Sequence, residues 1–125
     1  MRLLLDTHML LWLMNGNERL TPRARVLIDS ASDVYVSAAS IWEVAIKRRV
    51  GKMEENPEEL VATLGKAGLI DLPVEPRHAL VTAQLPLLHR DPFDRMLVAQ
   101  AISETMRLLT TDAQLAAYTE LVITV

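Results

Sequence analysis

Apolar residues along this chain fall into short unbroken runs, separated by longer segments in which they recur at helical spacing. The short runs are Arg2 to Leu5, Val34-Tyr35-Val36, Leu108-Leu109-Thr110 and Leu121 to Val125, each bounded by cap or turn residues. Runs of this kind mark parallel strands covered on both faces. Ile70 to Val74 is a further extended segment, but Pro73 lacks an N–H and confines it to a sheet edge.

Cap and proline signals place helices between the strands. Asp6 or Thr7 caps a helix from His8 to Met14, which stops at Asn15-Gly16-Asn17. Thr21-Pro22 opens a helix over Arg23 to about Ala31, because proline suits the first helical position. Ser37 or Ser40 caps a helix running through Ile41 and Ile46 to Gly51. Pro57 opens one that ends near Gly65 or Gly68, Pro76 one to about Gln84, and Pro92 one to Met106. A short helix over Ala113 to Ala117 precedes the last strand. Strands alternating with helices imply an α/β sandwich with a largely parallel sheet.

The helix from Pro92 carries the first sign of chemistry. Asp94 shares a helical stripe with Leu97, Val98, Ala101 and Thr105, the stripe expected to face the core. Asp91 suits the N-cap, and Asp94 favours the positive end of the helix, but capping does not explain a carboxylate aligned with an apolar face. Ligands of parallel sheets lie beyond the carboxyl ends of the strands. Asp6 follows the first strand, Asp112 follows a later one, and Glu43 lies about a turn into the helix after the second. Each could instead serve a local purpose: Asp6 and Asp112 as caps, Glu43 as the partner of Lys47 one turn on. Four unrelated local roles need not fall on one sheet edge, however, and bringing carboxylates within ~4 Å costs about 1–4 kcal/mol per pair.

Composition narrows what those acids do. At 125 residues the chain is expected to form a single domain spanning residues 1–125. It has no cysteine, which excludes disulfides, thiolate metal sites and a cysteine nucleophile. Its glycines, Gly16, Gly51, Gly65 and Gly68, are scattered and form no phosphate-cradling loop. The run Met9 to Met14 is far below the ~18–20 residues of a membrane span. Asp6 and His8 interrupt the apolar start before a secretory signal forms, so a cytoplasmic location is expected. A net charge of -3 argues against a surface that coats nucleic acid generally. Lys47, Arg48, Arg49 and Lys52 nevertheless form a local basic cluster, and Glu54, Glu55, Glu58 and Glu59 an acidic run read as solvated surface.

Oxygen-only acid clusters suit Mg2+ or Mn2+, and such a cation can orient a phosphodiester and activate water. His8, His78 and His89 are read as packed or solvated residues; no histidine pair has metal-ligand spacing, so zinc is not expected. Two other classes share an aspartate after the first strand. A haloacid-dehalogenase-like phosphatase needs a second aspartate two residues on, where this chain has His8. A magnesium-binding, receiver-like signalling module needs a lysine after a late strand and a central phosphoacceptor, neither of which is found.

Four stretches resemble those of the PIN-domain ribonucleases, and within them the VapC-type toxins of bacterial toxin-antitoxin pairs. They are Leu3-Leu4-Leu5-Asp6-Thr7-His8, the segment Ser40-Ile41-Trp42-Glu43-Val44-Ala45-Ile46-Lys47, the block from Arg90-Asp91-Pro92-Phe93-Asp94-Arg95 to Ala101, and Leu108-Leu109-Thr110-Thr111-Asp112. The third is the most specific, and together they cover essentially the whole chain. The resemblance implies a three-layer α/β/α sandwich with a five-stranded parallel sheet. It implies Asp6, Glu43, Asp94 and Asp112 around Mg2+ or Mn2+, with Asp6 and Asp94 as principal ligands, Glu43 as ligand or water-orienting base, and Asp112 as ligand or supporting acid. It also implies cleavage of single-stranded or loop RNA by a metal-activated water, leaving a 5′-phosphate. Thr7 and Thr110 are candidates to hydrogen-bond a ligand carboxylate or the substrate phosphate, and Lys47 or Arg95 to steer the RNA backbone. A homodimer and a small antitoxin protein that fills the groove are the partners this resemblance implies. Asp91 stays open between a ligand and a helix cap, because capping already accounts for it.

Overall fold

A computed structural model of the chain describes all residues from Met1 to Val125. Strand β1 (Arg2–Leu5) leads into helices α1 (Thr7–Asn15) and α2 (Pro22–Ser30), then β2 (Asp33–Ser37), α3 (Ala38–Arg49), α4 (Pro57–Leu64) and β3 (Ile70–Leu72). Helices α5 (Pro76–Gln84) and α6 (Pro92–Glu104) follow, then β4 (Arg107–Thr110), a 3-10 turn (Ala113–Ala117) and β5 (Val122–Thr124). The five strands pair in the order β3-β2-β1-β4-β5, every pair parallel. Segment Ile70–Leu72 is an edge strand, as Pro73 requires.

Alternation along the strands makes the layers. Leu3 and Leu5 point to one side of β1 and Leu4 to the other, and Leu109 and Leu108 of β4 divide the same way. Leu3, Leu5 and Leu109 pack with Met9 and Leu10 of α1, Ala24 of α2, Val44 of α3 and Leu60 of α4. Leu4 and Leu108 pack with Leu97, Val98 and Ala101 of α6 and with Leu115 of the 3-10 turn. The result is a five-stranded parallel sheet flanked by helices in three layers, the architecture expected from the sequence.

The caps match their sequence signals at several ends. Asp6 accepts the Met9 N–H at 2.9 Å, Thr21 the Ala24 N–H at 3.2 Å, and Ser37 rather than Ser40 caps α3 through the Ala39 N–H at 3.0 Å. Helix α6 ends earlier than the predicted Met106. Thr105 adopts a left-handed conformation (φ 54°) and its N–H returns to Ala101 and Ile102, so Thr105 leaves the stripe for solvent while Met106 turns into the core. His78 is fully buried, its Nδ1 accepting the Glu75 N–H and its Nε2 3.0 Å from Glu104, which fastens α5 to α6.

The chain leaves β1 for β2 and β3 on one side, and then crosses to β4 and β5 on the other. The carboxyl ends of β1 and β4 therefore flank the switch point at which parallel sheets form their crevices.

Candidate active site

Asp6 stands directly after β1 at that crevice and is only 6% exposed. Its Oδ1 accepts the Met9 N–H, and its Oδ2 accepts the Thr110 hydroxyl from the end of β4. Thr110 Oγ1 in turn accepts the Asp112 N–H at 3.0 Å, so one hydroxyl sets the spacing of two acids. Glu43, on α3 and 3% exposed, is held from both sides. Thr7 Oγ1 donates to its Oε1 at 2.6 Å and lies 3.0 Å from Ser40 Oγ, while Lys47 Nζ donates to its Oε2 at 2.5 Å. Thr7 and Thr110 thus spend their hydroxyls on the carboxylates, the first of the two partners the sequence offered them. Lys47 has the helical ion pair with Glu43 that its spacing permits.

At the head of α6, Asp91 Oδ1 accepts the N–H groups of Phe93 and Asp94, at 2.8 and 3.2 Å. Capping is therefore real, but Asp91 also lines the pocket. Asp6, Glu43, Asp91, Asp94 and Asp112 surround one cavity of about 230 Å³ with Thr7, His8, Lys47 and Thr111, and no apolar side chain contributes to its lining. The alignment of Asp94 with Leu97, Val98 and Ala101 is what aims it there.

Crowding of like charge is visible in the titration of the acids. Asp94 is pushed up to about 7, first by burial and then by the charges of Asp91, Asp6 and Glu43, against a lowering by His89. Burial also raises Asp6, partly offset by the hydrogen bonds from Thr110 and Met9. Lys47 is raised by its hydrogen bond to Glu43. A hard divalent cation is the natural counter-charge for such a set, since Mg2+ and Mn2+ take carboxylate oxygens. His89 Nε2 and one oxygen each from Asp94 and Asp112 lie within 4.8 Å of one another, close enough to surround an ion.

Arg95, a candidate to steer RNA, has its guanidinium engaged within the fold, donating to the carbonyls of Pro86 (2.8 Å), Thr82 (2.9 Å) and Leu85 (3.4 Å) and to the Tyr118 hydroxyl (3.2 Å). It secures the loop between α5 and α6. His89, expected from the sequence to be packed or solvated, instead faces two of the acids. Its Nε2 lies 3.2 Å from Asp112 Oδ2 and 3.5 Å from Asp94 Oδ2. Its position two residues before the capping Asp91 was the available signal, because its Nδ1 accepts the Asp91 N–H at 3.1 Å.

A larger cavity, about 540 Å³, is lined mostly by Ala38, Ala39, Trp42, Val74, Pro92, Phe93 and Met96. It holds no carboxylate, so the candidate chemistry belongs to the smaller pocket. Trp42 and Phe93, each the sequence neighbour of a pocket acid, meet there edge to face with centroids 5.2 Å apart.

The family model described as PIN domain matches residues 3–121. The chain belongs to the PIN domain family. PIN domains are typically nucleases, and typically use Mg2+. No curated protein matches the sequence. Among solved structures, this PIN domain is similar to a chain of the VapBC2 complex from Rickettsia felis bound to a promoter DNA fragment, with TM-score 0.74, 14% identity, and coverage of 99% of this chain and 98% of that one. A toxin-antitoxin complex from Klebsiella pneumoniae gives TM-score 0.67 at 17% identity, covering 97% and 95%. FitAcB from Neisseria gonorrhoeae gives 0.62 at 19%, covering 98% and 96%. At these identities the likeness is one of fold.

Proposed function

We propose that this PIN domain is a divalent-metal-dependent endoribonuclease and acts as the toxin of a toxin-antitoxin pair. The observation that carries this is the meeting of Asp6, Glu43, Asp94 and Asp112, from four separated segments, in one pocket without apolar lining. The similar complexes from Rickettsia felis and Klebsiella pneumoniae support the partner, a small antitoxin protein, and the same reading includes a homodimer.

Asp6, Asp94 and Asp112 would hold Mg2+ or Mn2+, with Glu43 beside them. A cation held there would supply Lewis-acid polarisation of the phosphodiester and a lowered pKa for the attacking water. Thr110 keeps Asp6 and Asp112 in register, and its bond to Asp6 Oδ2 leaves that oxygen a further lone pair for the pocket. Glu43, fixed through Thr7 and Lys47, orients the water and accepts its proton. Water oxygen bonds to phosphorus as the bond to O3′ breaks, and the departing O3′ takes a proton from solvent, leaving a 5′-phosphate and a 3′-hydroxyl.

Purified chain, free of partner, is expected to cut single-stranded RNA into fragments with 5′-phosphates when Mg2+ or Mn2+ is present, and to stop in chelator. Cleavage that continues undiminished in chelator would defeat the mechanism. Incubation with a small phosphodonor should leave Asp6 unlabelled, since in this reading water and not Asp6 attacks phosphorus; labelling would favour a phosphatase or receiver-like module.

Arg95→Ala leaves several carbonyls without their donor. A lower thermal midpoint is expected, equivalent to about 1–3 kcal/mol, with RNA affinity retained. An unchanged midpoint with weakened RNA binding would return Arg95 to the substrate.

A further inference from the structure

His89 makes a compact trio with Asp94 and Asp112, and such a trio invites assignment of its ring as a metal ligand. The hydrogen bonds argue otherwise. Nδ1 faces the Asp91 backbone N–H, a donor that never gives up its proton, so Nδ1 must be the accepting nitrogen. The ring proton of the neutral imidazole then sits on Nε2, the nitrogen that faces the carboxylates of Asp112 and Asp94. A nitrogen bearing a proton has no lone pair for a cation. The ring is also held at its backbone, where the Tyr118 hydroxyl donates to the His89 carbonyl at 3.5 Å.

We propose that His89 is a phosphate-contacting donor of this site and not a metal ligand: its Nε2–H faces Asp112 and Asp94 in this structure and donates to a non-bridging oxygen of the RNA phosphodiester when substrate is bound. This rests on the nuclease reading given above. The exchange of partners follows from charge. Once the oxygens of Asp94 and Asp112 are drawn to a counter-cation, the Nε2–H at 3.2–3.5 Å loses its acceptors while the Asp91 N–H still fixes the ring. A phosphate oxygen entering beside those carboxylates is the acceptor the site brings with it.

Three measurements test this. Nitrogen NMR of the imidazoles at pH 8, without metal and then with saturating Mg2+, is expected to show the His89 proton on Nε2 in both conditions. A proton that moves to Nδ1 on adding Mg2+ would overturn the proposal. Mn2+ titration of His89→Gln, whose amide nitrogen can occupy the place of Nε2, should match the wild type within about twofold; a loss of about tenfold or more, the range for removal of a metal-site group, would overturn it. Binding of a single-stranded RNA oligonucleotide in Ca2+ should weaken about tenfold or more in His89→Ala and be largely restored in His89→Gln, as loss and return of a hydrogen bond to a charged group predict. Equal binding by wild type and His89→Ala would overturn it. The two failures are separable: wild-type chain that cuts no RNA defeats the nuclease reading, whereas wild type that cuts RNA alongside an unimpaired His89→Ala defeats only the role of His89.

Discussion

Asp94→Asn is expected to reduce RNA cleavage by about 10²–10³-fold or more while raising the thermal midpoint of the metal-free protein at pH 8. Both effects have one origin. Asp94 is half-buried among Asp91, Asp6 and Glu43, and its carboxyl is pushed up to about 7 because ionising it there is costly. Asparagine keeps the size and shape of the side chain and removes the charge. The helix does not lose its cap, since Asp91 provides it through the N–H groups of Phe93 and Asp94. Without metal the variant is therefore relieved of repulsion; with metal it lacks a negative oxygen donor that the cation and the reaction need. The matching control is Asp91→Asn, which preserves the cap because asparagine is as good an N-cap as aspartate, and retains most of the cleavage. Asp94→Asn that cleaves at the wild-type rate, or that melts well below wild type at pH 8, would contradict this account.

Much of the fold was legible because local signals coincided with tertiary need. The uninterrupted run from Arg2 to Leu5 is a strand because both faces of β1 are covered, Leu4 against α6 and Leu3 and Leu5 against α1. Cap residues mark where each chain segment turns at the crevice, and for Asp6 and Asp91 the capping carboxylate is also a lining carboxylate. At Asp91, capping the helix and lining the pocket are therefore compatible. Strand order was less accessible, because nothing in the hydrophobic pattern says that β4 pairs with β1 and not with β3. The internal partners of Arg95 were not legible, since the carbonyls it meets lie at the end of α5 and in the loop beyond it, where no pattern marks them. His89 was missed for a related reason: its pairing with Asp112 spans 23 positions and depends on where β4 ends.

Metal-free protein is expected to grow more stable as pH falls from 8 to 5.5, against the common trend for carboxylate-rich sites. An acid whose folded pKa is raised binds its proton more tightly in the native state than in the unfolded chain, so stability falls as pH rises through that range. For Asp94 the gain begins as pH drops through about 7 and is complete below its ordinary 3.8. Asp6, also raised, adds with the same sign. The other shifted groups act elsewhere: Glu104 has the opposite sign in more acidic solution, whereas Lys47 and Arg77, both raised, share the sign of Asp94 but only in strong base. Glu104 is held below its ordinary 4.5 by His78 and Arg77, so its contribution is lost only in more acidic solution, and Lys47, raised from 10.5 by Glu43, loses its contribution only in strong base. Between pH 8 and 5.5 the pocket acids therefore set the slope. Solvent reaches Asp94, whose side chain is 24% exposed, and screening leaves about 1–2 kcal/mol, or a rise of about 3–8 °C in the midpoint. Mg2+ binds the ionised acids, so its stabilisation should be largest at pH 8, reaching about 2.7 kcal/mol at a hundredfold excess over Kd, and should shrink as protons compete for the same oxygens. Thermal melts at the two pH values, in chelator and in excess Mg2+, read both effects. A midpoint in chelator that falls towards pH 5.5 would mean that the acids repel one another less than their packing requires.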